Sequence, residues 1–104
     1  MGAPPQLTPE ERARALAKAK QSRLVRAGIK SRVKSGELSI TDVLELAKSD
    51  EAVAKMRVLE LVESIAGVGK IRAKVLLEKL EISLTRRLQG LGSRQAKALA
   101  QEFI

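Results

Sequence analysis

Residues 65–80, IAGVGKIRAKVLLEKL, decide the fold. Gly67 and Gly69 interrupt a run of helix formers, and Lys70, Arg72 and Lys74 follow directly behind the gap. Glycines flanking a valine ahead of a basic helix make a tight turn, a nucleotide loop or a grip on nucleic-acid backbone. The nucleotide reading fails on spacing. A P-loop needs a glycine five positions before its Gly-Lys pair and a Ser or Thr after the lysine; here those positions hold Ser64 and Ile71, and no strand precedes them. What remains is a helix N-terminus opened by glycines. Its first N–H groups have no partner within the helix, its dipole end is positive, and glycine lets a phosphate approach the backbone closely. A plain helix–helix turn stays open at this point.

The segments on either side extend the pattern. A helix over 57–65 is expected before the turn, with Val58, Leu61, Val62 and Ile65 facing inward. A helix from about Lys70 to Leu80 follows it, with Ile71, Val75, Leu76 and Leu80 as the buried set. EISLTRRLQGLGS (81–93) reads as a turn, one short helical turn around Arg86 to Gln89, and a second turn at Gly90 to Gly92. Ser93 is expected to cap the last helix, whose Ala96, Leu99, Ala100 and Phe103 face inward.

Upstream, LTPEER (7–12) offers Thr8 as N-cap, Pro9 at the first helical position, and Glu10 and Glu11 where the dipole favours acids. The helix that follows should run to about Ser35, with Gly36 as its stop. At 100° per residue Val25, Ile29 and Val33 form a narrow apolar strip, with Ser22 beside it, confined to the second half. Arg12, Arg23, Arg26, Lys30 and Lys34 gather on another face, a candidate second surface for a polyanion. In LSITDVLELAK (38–48), Ser39 and Asp42 stand at capping-box spacing, and Leu38 and Val43 form a hydrophobic staple. The helix there should cover Ile40 to Lys48. Ser49 is expected to cap a short helix in SDEAVAKM (49–56). Nothing alternates with strand period, so the expected fold is all-α. Residues 1–36 would form an N-terminal tail and long basic helix, and residues 37–104 a compact helical domain, as one folding unit.

The chain has 104 residues and a formal charge of +8. Residues 1–36 carry nine Lys/Arg against two acids, residues 37–66 three against seven, and residues 67–104 eight against three. Two basic lobes flank an acidic middle, a distribution that draws the chain to polyanions. There is no Cys and no His, which removes thiolate nucleophiles, disulfides, the usual zinc ligands and the commonest neutral-pH acid–base group. With no poised nucleophile or carboxylate pair either, the chain is expected to be no enzyme and to need no metal or cofactor. Phe103 is the lone aromatic, which argues against folds that stack bases on aromatic platforms. No apolar run approaches a membrane span and no signal pattern opens the chain, so a soluble cytoplasmic protein is expected. The apolar face of the first helix is too narrow for a membrane-surface helix.

GVGKIRAKVL (67–76) resembles the loop shared by helix-hairpin-helix and helix-two-turn-helix nucleic-acid-binding motifs. GVGKIRAKVLLEKLEISLTRRLQGLGSRQAKALAQEF (67–103) as a whole is similar to the actinobacterial integration host factor family. The similarity extends upstream through SDEAVAKMRVLELVESI to PQLTPEERARAL, nearly the whole chain. The short GVG match is common, whereas TRRLQGLGSRQAKAL is far more specific. The resemblance implies an all-helical nucleoid-associated protein, a long N-terminal helix on a domain similar to the helix-two-turn-helix of a small-subunit ribosomal protein. Such proteins bind duplex DNA with little sequence preference, bend or compact it, and can assist site-specific recombination beside a phage-type integrase. Family members often read TRRLRGLG, so Arg86 and Arg87 match while Gln89 replaces a third arginine and weakens a contact there. The β-armed heterodimeric host factors are unrelated, and their mechanism does not transfer.

The expected DNA-binding set is Gly67, Val68, Gly69, Lys70, Arg72, Arg86, Arg87, Gln89 and Arg94, acting on phosphates and the minor groove, in a protein that is monomeric in solution and located in the nucleoid. A structured-RNA or ribosome-associated role follows from the same motif and is the alternative. A DNA-repair enzyme would need a catalytic domain for which 104 residues leave no room.

Overall fold

The computed structural model describes residues 7–103, and these are helical, with no strand among them. Helix α1 (Pro9–Lys34) is followed by α2 (Ile40–Ala47), α3 (Glu51–Ala54), α4 (Val58–Glu63), α5 (Gly69–Lys79), a 3-10 turn at Leu88–Gly90, and α6 (Ser93–Gln101). The all-α expectation holds.

Capping sets most of these boundaries. Thr8 closes a full capping box with Glu11: the Glu11 amide donates to Thr8 Oγ1 (3.1 Å), and the Thr8 amide donates to Glu11 Oε1 (3.2 Å). Ser39 and Asp42 do the same for α2, at 3.1 and 2.9 Å. The bonds from the backbone and side chain of Ser39 hold the Asp42 carboxyl below the ordinary aspartate value. Gly36 ends α1 with φ +85°, a left-handed conformation that only glycine adopts freely. Two caps differ from the sequence expectation. Asp50, not Ser49, caps α3, its Oδ1 accepting from the Ala52 amide at 2.9 Å, while Ser49 turns back to the Leu46 carbonyl. Gly92, not Ser93, is the N-cap of α6, and Gln95 Oε1 accepts the Gly92 amide at 3.1 Å. A carboxylate accepts better than a hydroxyl at α3, and at α6 the three-residue reach of Gln95 replaces a cap by a side chain at the N-cap itself.

The core joins all the helices. Ile29 and Val33 of α1, Ile40 and Val43 of α2, Val53 of α3, Met56, Val58, Leu61 and Val62 around α4, Ala73 and Leu77 of α5, Ile82, Leu88 and Leu99 form one buried cluster. Val25 is half-buried against it, so α1 docks through its second half, onto α3, as its apolar strip implies. Residues 9–21 are exposed throughout. The α1 helix, 26 residues and so about 39 Å long, therefore carries an unsupported first half, and the molecule extends to 50 Å in its longest dimension.

The inner face of α5 is not the one the sequence suggested. Ala73 and Leu77 are fully buried and Leu76 and Leu80 half-buried, whereas Ile71 is 81 % and Val75 60 % exposed. Helix α5 packs on α4, and the side of the helix that carries the small Ala73 allows the backbones to approach closely. An apolar side chain on nearly every side of α5 left its phase open in the sequence.

Candidate nucleic-acid interface

The Gly-Val-Gly turn is built by local bonds. Ser64 Oγ donates to the Leu61 carbonyl (2.6 Å), the Ile65 amide to Val62 (3.2 Å), and the Val68 amide to Ile65 (3.1 Å). Gly67 and Gly69 then both take positive φ, +83° and +73°, on either side of a Val68 in the right-handed region. A Cβ at either glycine would meet nothing within 4 Å. Backbone conformation, not crowding, demands glycine here, and the space in front of both residues is open.

Helix α5 starts without a side-chain cap. The amides of Gly69, Lys70 and Ile71 have no carbonyl one turn earlier in the helix to receive them, so this end points unpaired donors and a positive dipole outward. The Val68 amide is already used, and the half-buried Val68 side chain packs against the core. Val68 thus anchors the turn from within, and the outward-facing donors are those of its neighbours. Arg72 Nη1 folds back onto the Gly67 carbonyl at 2.9 Å, which holds a guanidinium beside the turn. Lys70 is exposed and has no carboxylate partner among the described residues.

The second turn is fixed differently. Glu81 adopts φ +57° and is the only non-glycine residue with positive φ among those described. Gln95 Nε2 donates to its carbonyl at 3.1 Å while Oε1 accepts from Gly92. One amide thus ties the end of α5 to the start of α6. From there residues 83–88 run alongside the start of α4. The Val58 amide donates to the Arg86 carbonyl (2.9 Å) and the Leu88 amide to the Met56 carbonyl (2.8 Å), an antiparallel bridge between Arg57 and Arg87. Buried Leu88 pins the segment to the core.

Both expected arginines are exposed and held. Arg86 Nη1 donates to the Gly90 carbonyl at 3.0 Å, and a Cβ on residue 90 would sit 3.2 Å from Arg86 Cδ. Gly90 therefore gives the arginine a flat bed. Arg87 Nη1 donates to the Lys55 carbonyl at 3.3 Å. A guanidinium carries five N–H donors, so each retains most of them for a phosphate while its side chain is already ordered. Gln89 lies exposed in the 3-10 turn, and Arg94 is exposed in the first turn of α6.

The stripe on α1 is less uniform than its spacing suggests. Arg12, Arg23 and Lys34 are exposed, and Arg12 Nη2 donates to the Leu7 carbonyl at 3.3 Å. Arg26 is half-buried, and Lys30 is paired with Glu60 of α4 at 2.8 Å. Two residues beside these turns, Gln95 and Arg57, carried no expectation from the sequence. Gln95 carries no sequence signal for its bridging role beyond its three-residue distance from Gly92, and Arg57 was hidden inside the acidic middle of the chain.

Residues 33–103 match the S13-like H2TH domain family. The integration host factor of Mycobacterium tuberculosis (strain ATCC 25618 / H37Rv) is 50 % identical over 99 residues, covering 95 % of this chain and 94 % of that protein. The chain belongs to the integration host factor family. The integration host factor of Streptomyces coelicolor (strain ATCC BAA-471 / A3(2) / M145) is 46 % identical over 95 % of this chain and 92 % of its own length. A solved structure of sIHF bound to an 8 bp palindromic DNA matches with a TM-score of 0.83 and 42 % identity, covering 85 % of this chain and 99 % of that one. The all-helical fold of this chain is thus that of the DNA-bound structure. Among the described residues no acid cluster could hold a metal ion, and no helix is long and apolar enough to cross a membrane.

Proposed function

We propose that this member of the integration host factor family is a nucleoid-associated protein that binds duplex DNA through phosphates and the minor groove, with little sequence preference, and bends or compacts it. The observation that carries this reading is the pair of turns: an uncapped, glycine-opened helix end with Arg72 held beside it, and Arg86 and Arg87 pre-ordered on backbone carbonyls. Relatives of the same fold, one of them bound to DNA, favour duplex DNA over structured RNA.

The amides around Gly67 and Gly69, with Lys70 and Arg72, grip one strand by its phosphates. Arg86 and Arg87 reach the other strand or the minor groove, and Arg94 joins them from α6. Gln89 offers a neutral hydrogen bond beside them. The exposed cations of α1, Arg12, Arg23 and Lys34, with Arg26 at its half-buried edge, form a second surface for a bent duplex or a neighbouring segment; Lys30 contributes less because Glu60 neutralises it. The protein acts as a monomer without a cofactor or catalytic step, in the cytoplasmic nucleoid, and a DNA bent in this way suits a phage-type integrase. Mobility shifts on random duplexes at several salt concentrations test this reading. Log K should fall linearly with log salt, with a slope near −0.9 for each phosphate neutralised, and a flat dependence contradicts it.

A further inference from the structure

Arg57 and Arg87 are opposite partners in the antiparallel bridge. The flanking bonds, Val58 to Arg86 and Leu88 to Met56, are those of a non-hydrogen-bonded pair, the closer of the two antiparallel spacings, with Cα atoms about 4.5 Å apart and both side chains on the same face. Two like charges opposite each other across a bridge oppose folding, yet no ion pair relieves them. Neither arginine has a carboxylate within ion-pair distance among the described residues. Of the acids near Arg57 in sequence, Glu60 is engaged by Lys30 and Glu51 by Lys55 and Lys18.

Helix stability does not explain Arg57 either. It occupies the N-cap of α4 and makes no capping bond, at a position where Ser, Thr, Asp or Asn is favoured. Both residues are exposed, and Arg87 is steadied by the Lys55 carbonyl, two residues before Arg57.

We infer that Arg57 and Arg87 together form a two-guanidinium seat for one backbone phosphate of the bound duplex, so that Arg57 is a DNA-binding residue of the site. A phosphate between two guanidinium forks receives charge-assisted hydrogen bonds from both and removes the repulsion that the free protein carries. The bridge supplies the geometry: the backbone at the start of α4 and the arginine turn cannot separate without breaking two backbone hydrogen bonds. This inference rests on the duplex-binding reading above.

The test is fluorescence anisotropy on a random duplex at several salt concentrations with the full chain, for the parent, Arg57→Ala, Arg57→Gln, Arg87→Ala and the double alanine variant, each with a thermal melt. Arg57→Ala and Arg57→Gln are expected to weaken binding about tenfold at moderate salt and to flatten the salt slope by about one. The double variant should lose less than the product of the two single losses, because both arginines serve one phosphate. The melting temperatures of the two Arg57 variants should equal or exceed the parent's, since a repulsion has been removed; a clear fall would mark Arg57 as structural and overturn the inference. Parent-like affinity and slope in both Arg57 variants, with Arg87→Ala weakened, also overturn it while leaving the duplex reading intact. Strictly multiplicative losses overturn the shared phosphate. Parent-like binding in every variant removes the duplex reading of this turn itself.

Discussion

Leu88 donates its amide to the Met56 carbonyl at 2.8 Å while its own side chain is buried in the core beneath the arginine turn. The same residue therefore fixes the turn through the backbone and through packing. Truncation in Leu88→Ala removes only the packing, which for a buried leucine costs about 2–5 kcal/mol. Thermal or urea unfolding should show that loss. In the fraction that remains folded, DNA affinity should fall as well, because Arg86 and Arg87 lose their support. An unchanged melting temperature would contradict the placement of Leu88.

Left-handed backbone gives opposite signs at two positions. Gly69→Ala puts a Cβ where φ is +73° with open space around it, so its penalty is conformational and should be about 1–2 kcal/mol. Glu81 already bears such strain at φ +57°. Glu81→Gly relieves it, at the expense of about 0.5–1 kcal/mol of added unfolded-chain entropy, and should leave stability equal or higher by up to about 1 kcal/mol. The Gln95 bond to the Glu81 carbonyl survives that change, since it uses backbone. Denaturant melts of the two variants decide both signs.

Acid titration should weaken α2. Backbone and side-chain hydrogen bonds from Ser39 lower the folded-state pKa of Asp42, so the carboxylate contributes stability above the ordinary aspartate value of about 3.9. That contribution disappears as pH falls from there through the lowered folded-state value, because the proton must be bound where the capping bond wants an anion. Asp42→Asn should therefore melt below the parent at pH 7, with a difference that shrinks toward pH 2. A difference constant across that range would contradict the cap.

Helix boundaries were legible at Thr8 and Ser39, where a capping box makes the terminating bonds, and at Gly36, where a glycine takes positive φ; at α3 the adjacent Ser49 and Asp50 both offer a cap, and the folded chain uses Asp50. The strip Val25, Ile29 and Val33 was legible because the rest of α1 offers no competing face. The phase of α5 was not, since apolar residues at 71, 73, 75, 76, 77 and 80 fit more than one face and only contact with α4 selects Ala73 and Leu77. That selection is checkable: Ile71→Ser should change stability by no more than about 0.5 kcal/mol, while Leu77→Ala should lose about 2–5 kcal/mol. In the site, the glycines and the two adjacent arginines stood out by spacing. Arg57 did not, because its partner lies thirty residues away and only a non-local bridge brings them together.

Backbone amide shifts, recorded as a short random duplex is added to the labelled protein, test the central claim most directly. The largest changes should fall on Gly67, Gly69 and Lys70 and on residues 86–87, with smaller ones along α1. If those amides stay fixed while α2 or the outer face of α6 responds, the two turns are not where this protein holds DNA.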